Sequence, residues 1–287
     1  MLKRFRVSGF MDFGEVELGF GWVDVIHGER LDWVMRVLYE LVGDFGGVSR
    51  GLGMVYGLDW GSVGVGAEFE VGVYGGVTGL RVTGDGLVIR RAPRNKSIVF
   101  VSNVGTFARR TANVFSAIYD QRIGDELTRE VSDCDVRIEE DGGEIYVVYE
   151  KIGKKIPLEF ADDESACLAT LRLLIERGFD GVVLIHRPEG WLSPQRYGLL
   201  LEMVRLLRAN GNQVVLSTND YAIHKEFSLA ILEGRFDLNE VTFHVLRRNE
   251  DGMIVSYSGS HLDVYERTPF SRKFSELFMR DVVRSPA

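Results

Sequence analysis

Two short apolar runs stand out in the hydrophobic pattern, at 181–185 and at 213–216. Each is rich in valine, shows no polar alternation and is too short for a stable helix, which is typical of a strand buried on both faces. Between them, the segment 196–210 carries leucines at helical spacing and ends in a helix stop signal at Gly211. A strand, a helix and a strand in about forty residues form a βαβ unit, so we expect the two strands to be parallel.

Polar residues follow both of these strands. His186 and Arg187 come after the first strand, and Asn219 and Asp220 come after the second. Ligands of parallel sheets bind at the carboxyl ends of the strands. We therefore expect any binding chemistry to lie where these residues meet.

The other periodic segments extend an α/β pattern along the chain. A hairpin turn at 83–86 lies inside a glycine-rich antiparallel meander at about 52–92. A helical pattern without sustained heptads covers about 104–131, and an amphipathic segment covers 270–283. The remaining predictions are strands within 2–26, 136–138, 145–149, 241–246 and 253–257, and helices at 33–41, 168–177 and 221–232.

Composition and charge restrict the class of protein. A hydrophobic fraction of 45% with 26% charged residues is ordinary for a globular domain, and 287 residues suffice for a sizeable core. The net charge of −8 does not favour nucleic-acid binding by the whole surface, although a local basic patch stays compatible with it.

Cysteine, histidine and leader patterns add expectations of absence. The two cysteines, Cys134 and Cys167, show no metal spacing and no disulfide framework. We see no signal peptide and no apolar run of membrane-spanning length, so we expect a cytoplasmic protein. The five histidines are scattered without metal-ligand spacing, and no Ser/His/Asp arrangement can be argued from them.

The βαβ stretch resembles the Walker B, D-loop and switch-histidine region of ABC-type ATPase heads of the RecF/SMC kind. That family has an apolar strand, then Asp-Glu-Pro-Glu, Leu-His-Pro, a helix and a strand that ends in Ser-Thr-His. This chain departs from it at three positions: His186 replaces the magnesium-associated Asp, Arg187 the catalytic Glu, and Asn219 the switch His. The residues that it keeps are Pro188, Glu189, Leu192, Pro194, Ser217 and Thr218.

The same resemblance places a phosphate loop from Gly28 onward, after a turn matched by Phe10 and Phe13. Such a loop needs glycines whose N–H groups cradle phosphate, a lysine for its charge and a hydroxyl for magnesium. Gly28 is retained, and it also suits a simple turn between strand and helix. The substituted positions are Trp33 for the second glycine, Val34 for the lysine and Met35 for the hydroxyl residue.

The charges around this loop lead to a specific expectation. Glu29 and Asp32 place negative charge where phosphates would lie. We expect one of these carboxylates to pair with Arg187 or Arg36, and Trp33 to fill the space of a nucleotide. Whether Arg30 or Arg36 takes over the role of the lost lysine stays open.

The family's signature loop, a Ser-x-Gly ahead of a helix, corresponds to Ser165 and Cys167, so its glycine is lost. The acidic cluster 162–164 before this helix has two interpretations. It is an N-terminal helix cap, or it is a carboxylate metal site that lacks an evident partner.

The resemblance implies one P-loop NTPase-like ABC-type head over 1–287, with a mixed or parallel core sheet. The meander at about 52–92 becomes its antiparallel β-subdomain, and the segment at about 104–131 a short helical lid. It further implies a pseudo-ATPase without nucleotide cofactor or metal, which works as a binding or scaffold subunit in DNA repair or chromosome organisation. Two alternatives stay open, an active ATPase with unusual site residues and a nucleic-acid-binding module.

A protein partner or a second copy of the chain is the expected ligand, and nucleic acid is the alternative. Basic residues mark the candidate contact surface at a hairpin end and in the lid. A solvated hairpin end is the simpler explanation of the first group. These residues are Arg90, Arg91, Arg94, Lys96, Arg109 and Arg110.

Overall fold

A computed structural model describes residues 1–8, 12–42, 68–73, 76–83, 86–90, 97–102 and 134–259. Within them the helices are α1 (Leu31–Val42), α2 (Asp163–Glu176), α3 (Tyr197–Ala209) and α4 (Tyr221–Leu232). The strands are β1 (Leu2–Ser8), β2 (Glu15–Gly19), β3 (Val23–Gly28), β4 (Glu68–Val73), β5 (Gly76–Thr83), β6 (Gly86–Arg90), β7 (Ser97–Val101), β8 (Val136–Asp141), β9 (Glu144–Tyr149), β10 (Lys154–Pro157), β11 (Gly181–His186), β12 (Gln213–Ser217), β13 (Val241–Arg248) and β14 (Ile254–Gly259).

A six-stranded sheet of order β14-β13-β3-β12-β11-β7 forms the central layer. Strands β13, β3, β12, β11 and β7 are parallel, and β14 runs antiparallel to β13 at one edge. The predicted βαβ unit is confirmed, because β11 and β12 pair in parallel with α3 between them. Their register sets His186 beside Ser217, and that of β3 and β13 sets Gly28 beside Leu246.

The two faces of this sheet enter two different cores, because neighbouring strand residues point in opposite directions. Val183 and Ile185 face one core together with α2, α3, α4 and residues of β8 and β9. Val182 and Leu184 face the other, together with α1, β1 and β2. Burial on both sides explains why the strand sequences lack polar alternation.

Two antiparallel sheets complete the described structure, with orders β2-β1-β4-β5-β6 and β10-β9-β8. The predicted meander is confirmed over β4, β5 and β6, and β1 joins its edge. The helix predicted at 168–177 begins earlier, at Asp163, since the acidic cluster caps its first turn. The predictions for 52–67, for the lid at 104–131 and for 270–283 lie outside the described residues.

Together these layers form a mixed α/β fold with a largely parallel central sheet, as the sequence led us to expect. Among the helices of the described ranges, none has the length and apolar character needed to cross a bilayer.

Candidate functional site

Four chain segments meet at the carboxyl edge of the central sheet. His186 ends β11, Asn219 follows β12, Gly28 ends β3, and Arg248 ends β13. This is the edge at which the sequence predicted a site. The contacts between these segments decide what the edge can bind.

The Asp32 carboxylate contacts His186, the last residue of β11, and Arg187, which follows it. Its Oδ1 is 2.7 Å from His186 Nε2 and 3.3 Å from Arg187 Nε. Our expectation that a loop carboxylate pairs with Arg187 is therefore confirmed. The other ring nitrogen of His186, Nδ1, lies 2.6 Å from Ser217 Oγ, so both nitrogens of the imidazole are engaged.

Burial determines the protonation of this histidine. The His186 side chain is only 12% exposed and its ring stacks on Phe100. Burial lowers the pKa of His186, and the hydrogen bond that its ring donates to Asp32 offsets this only in part. The imidazole is therefore neutral at pH 7, and its tautomer is set by Asp32, which can only accept a hydrogen bond.

The backbone amides of the loop before α1 are used inside the protein. The N–H groups of Trp33 and Val34 both donate to the carbonyl of Arg30, at 3.0 Å each. The Gly28 N–H donates to Asn219 Oδ1 at 3.0 Å, and the Glu29 N–H donates to the Leu246 carbonyl at 3.1 Å. A phosphate cradle needs amides of this loop directed at the ligand, whereas these four are already bonded.

Gly28 is required by a close approach of two strands. Its φ is +122°, and a Cβ atom at this position would lie 1.9 Å from the Leu246 carbonyl oxygen. No side chain fits there without separating β3 from β13. The packing of two strands is thus sufficient reason for the one glycine that the loop retains.

The substituted loop residues are part of the core. Trp33 is 6% exposed, and its ring centroid lies 4.7 Å from that of Phe13. The indole packs with the second core cluster, and the expectation that Trp33 fills the space of a nucleotide stays a prediction. Val34 and Met35 are fully buried, so neither presents a group at the sheet edge.

A second charged cluster lies on the β13 side of the edge. Arg30 Nη2 is 3.0 Å from Asp12 Oδ2, and Arg248 contacts both Asp12 and Glu29, the latter at 2.8 Å. Burial by itself raises the pKa of Asp12, but hydrogen bonds from Arg30 and Arg248 outweigh it and hold that pKa below the usual value. Glu29 therefore pairs with Arg248, and the side chain of Arg36 lies outside the described part of the chain.

Glu189 connects the loops after β11, β12 and β3. Its two carboxylate oxygens accept hydrogen bonds from Thr218 Oγ1 at 2.7 Å and from the Asn219 N–H at 3.0 Å. Asn219 in turn accepts from the Gly28 N–H. Asn219, at the switch-histidine position, thus links the loop after β12 to the end of β3 through its side-chain amide.

The acidic cluster before α2 acts as a helix cap. Asp162 Oδ1 accepts from the Ser165 N–H at 2.9 Å, and Oδ2 accepts from the Tyr149 hydroxyl at 2.7 Å. Glu164 accepts from the Ser193 N–H at 2.7 Å and pairs with Arg196. The capping interpretation is confirmed, and the described ranges contain no group of three or more metal-ligating side chains.

Cys167, at the signature-glycine position, is fully buried and its thiol lies 3.3 Å from the Ser102 carbonyl. Burial raises the pKa of the Cys167 thiol well above its usual value, so the group stays protonated. It is a core residue without exposed reactivity.

The basic residues proposed as a contact surface are outside what can be placed. Arg90 ends β6, but its side chain is not described. Arg91, Arg94, Lys96, Arg109 and Arg110 lie outside the described residues.

Two sets of interacting residues were not predicted from the sequence. The pairing of Asp12 with Arg248 spans 236 positions, and no local pattern announces it. Asp24, His244 and Ser258 form a hydrogen-bonded series, which the scattered histidines did not allow us to predict. The available signal was the β13–β14 hairpin, whose register sets His244 opposite Ser258.

Three solved structures that are similar to this chain are heads of SMC proteins. The SMC head domain from Thermotoga maritima matches with a TM-score of 0.52 and 12% identity, over 90% of this chain and 99% of that one. An Smc head domain with an extended coiled coil, bound to the C-terminal domain of ScpA derived from Pyrococcus furiosus, matches with a TM-score of 0.58 and 10% identity, over 92% and 98% of the two chains.

A third structure, an Smc head bound to the C-winged helix domain of ScpA, matches with a TM-score of 0.54 and 14% identity, over 90% of this chain and 97% of that one. No protein-family model and no curated protein matches the chain. At these identities the likeness establishes the SMC-head type of fold.

Proposed function

We propose that this chain is a head of the SMC/RecF type that does not hydrolyse ATP and that works as a binding or scaffold subunit. One observation carries the proposal: the loop that would hold phosphate donates its amides at Gly28, Glu29, Trp33 and Val34 to protein acceptors. Nucleotide binding would have to break these bonds before it formed its own.

The side chains agree with this reading. Phosphoryl transfer on this fold needs a positioned lysine, a magnesium site and a residue that orients the nucleophile. Val34 and Met35 are buried apolar residues, and His186 and Arg187 supply no carboxylate for magnesium. The Asp32 carboxylate beside them would repel phosphate oxygens. The residues present do not fit magnesium–ATP.

The remaining role is recognition of a macromolecule. Two of the similar SMC heads are described as bound to a domain of ScpA. By analogy we propose a protein partner or a second copy of the chain, in DNA repair or chromosome organisation in the cytoplasm. The two cysteines are free and buried, which suits a reducing compartment.

Calorimetric titration with magnesium–ATP tests the loss of nucleotide binding. We expect no saturable binding below about 1 mM, equivalent to a binding free energy weaker than about −4 kcal/mol. We also expect no phosphate release above the buffer rate. Magnesium-dependent ATP hydrolysis that disappears in R187A or R36A contradicts the proposal and favours an active ATPase.

Sedimentation velocity tests the recognition role. We expect the oligomeric state, with or without a co-purified partner, to be the same in the presence and absence of ATP. A monomer that assembles only after ATP is added contradicts the proposal. Binding to duplex DNA that weakens steeply with salt, and that the double charge reversal R91E/R94E removes, favours the nucleic-acid-binding alternative.

A further inference from the structure

Three side chains lie in series across the neighbouring strands β3, β13 and β14. Asp24 Oδ1 is 3.1 Å from His244 Nε2, and His244 Nδ1 is 2.7 Å from Ser258 Oγ. Asp24 and Gly28 are four residues apart on β3, about 13 Å in an extended strand. The series is therefore separate from the charged clusters at the carboxyl edge.

The hydrogen-bond partners assign the protons in this series. A carboxylate accepts only, so Nε2 of His244 carries the proton that faces Asp24. Nδ1 then presents its lone pair to Ser258 and accepts from the hydroxyl. A nucleophilic serine is activated in the same way, by an imidazole that a carboxylate holds in one tautomer. The two ring nitrogens exchange places relative to the usual arrangement, which leaves the roles unchanged.

Burial of the carboxylate strengthens its hold on the imidazole. Asp24 and His244 are both 0% exposed. The Gly21 N–H donates to Asp24 Oδ1 at 3.0 Å, and Asp24 Oδ2 has no hydrogen-bond partner among the described residues. Phe20 meets the His244 ring edge-on, with the centroids 5.9 Å apart. Water thus cannot reach the carboxylate or the imidazole, and neither is free to turn away from the series.

The serine at the end of the series is accessible. Ser258 is exposed on the edge strand β14, so a reagent can reach its hydroxyl but not the histidine behind it. Ser256, two residues earlier, differs in its surroundings. Its hydroxyl accepts from the Glu17 N–H and donates to the Glu17 carbonyl, each at 2.9 Å. Ser256 is therefore a comparison hydroxyl on the same strand, less exposed than Ser258 and bonded to the backbone of Glu17 instead of to a histidine.

We propose that Ser258 is a nucleophile for acyl transfer and that it takes carboxylic esters with good leaving groups. The Ser258 oxygen forms a bond to the acyl carbon while its proton passes to His244 Nδ1. The ester C–O bond breaks, and the good leaving group departs as its anion while the proton stays on His244 beside the Asp24 carboxylate. The product is an acyl-serine, formed once per chain, because the buried imidazole cannot activate water for its release. This proposal goes beyond the scaffold function and does not depend on it.

An alkyl fluorophosphonate probe tests the proposal, because it reacts with activated serines with loss of fluoride. The full chain is labelled, and modified peptides are quantified by mass spectrometry at a series of times. We expect Ser258 to react at least about 100-fold faster than Ser256, as expected for general-base assistance. The S258A variant should lose the label, and S256A should keep it. Labelling of wild-type Ser258 should disappear in denaturing urea.

Two results overturn the proposal. One is Ser258 labelling no faster than Ser256 in the folded wild-type protein. The other is rapid labelling that persists in S258A or in denaturant. Release of p-nitrophenolate from p-nitrophenyl acetate supplies a second readout: an initial burst of about one equivalent per chain should disappear in S258A and stay unchanged in S256A. Neither measurement involves nucleotide, so its outcome is independent of the ATP-binding test.

Discussion

Replacement of Gly28 by alanine tests why the loop retains its one glycine. The added Cβ would lie 1.9 Å from the Leu246 carbonyl oxygen, whereas ordinary contact begins at 3.4 Å. Strands β3 and β13 would have to separate by about 1.5 Å to restore a contact distance. That movement weakens the hydrogen bond from the Glu29 N–H to Leu246.

The expected loss of stability has two parts. A side chain at a positive φ costs about 1–3 kcal/mol. Loss of a buried backbone hydrogen bond adds about 1–3 kcal/mol. We therefore expect G28A to lower the free energy of unfolding by about 2–6 kcal/mol, a large fraction of the stability of an ordinary domain.

Urea unfolding followed by circular dichroism measures this loss, with G142A as the matched control. Gly142 also has a positive φ, of +62°, but a Cβ there meets nothing within 4 Å. G142A should lose only about 1 kcal/mol, from backbone strain alone. If G28A lost no more than G142A at an unchanged m value, the argument from strand packing would be refuted.

Three further predictions concern the charged groups. D32N should lower the pKa of His186 further, because the hydrogen bond and the charge of Asp32 raise that pKa. NMR titration measures the change, with His27 as the unchanged reference. The free energy of unfolding should change by less than about 1 kcal/mol, since Asp32 is 67% exposed. Burial lowers the pKa values of His27 and His186 below 6.5. As the pH falls, the unfolded chain therefore binds protons before the folded chain does. The stability that is present above pH 6.5 should decrease as the pH drops from 6.5 through the folded pKa values. Urea midpoints measure this decrease, and a rise in the midpoint over that interval contradicts the lowered histidine pKa values. D162A should lower the free energy of unfolding by about 1 kcal/mol, because it removes the N-cap of α2. D163A, at the first position of the helix, should lower it by about half of that, and equal losses contradict the capping role.

The central sheet was predictable because its signals are local. The runs at 181–185 and 213–216 carry no polar residue, and burial on both faces of a sheet is the simplest reason for that pattern. The helix between them ends where Gly211 adopts a φ of +86°. Each of these features is decided within a few residues.

The loop before α1 was harder, because two signals in the sequence overlap there, a comparison with a phosphate loop and the apolar spacing of a helix. Trp33, Val34 and Met35 occupy loop positions in that comparison, yet they are apolar and continue the buried stripe of the helix. Without a phosphate to bind, burial of these side chains favours winding them into the helix, which accordingly begins at Leu31. The hydrophobic pattern was the better guide here than the resemblance.

Contacts between distant segments could not be predicted from one sequence. The pair Asp24–His244 spans 220 positions, and the pair His186–Asp32 spans 154. The register of β3 and β13 decides the first pair, because a shift by one residue would send either side chain to the opposite face. The packing of α1 against β11 decides the second pair. The charge of Asp32 was visible in the sequence, but its choice of His186 over other partners was not.

The closed edge also determines what can control this protein. A ligand shifts a conformational equilibrium only by as much as its affinities for the two states differ. Here Glu189 and Asn219 hold the loops after β11, β12 and β3 together through protein hydrogen bonds. In the proposed function these bonds take the place of nucleotide in ordering the edge. A partner then meets a surface that is already formed, and its affinity should depend on salt and on surface charge but not on ATP.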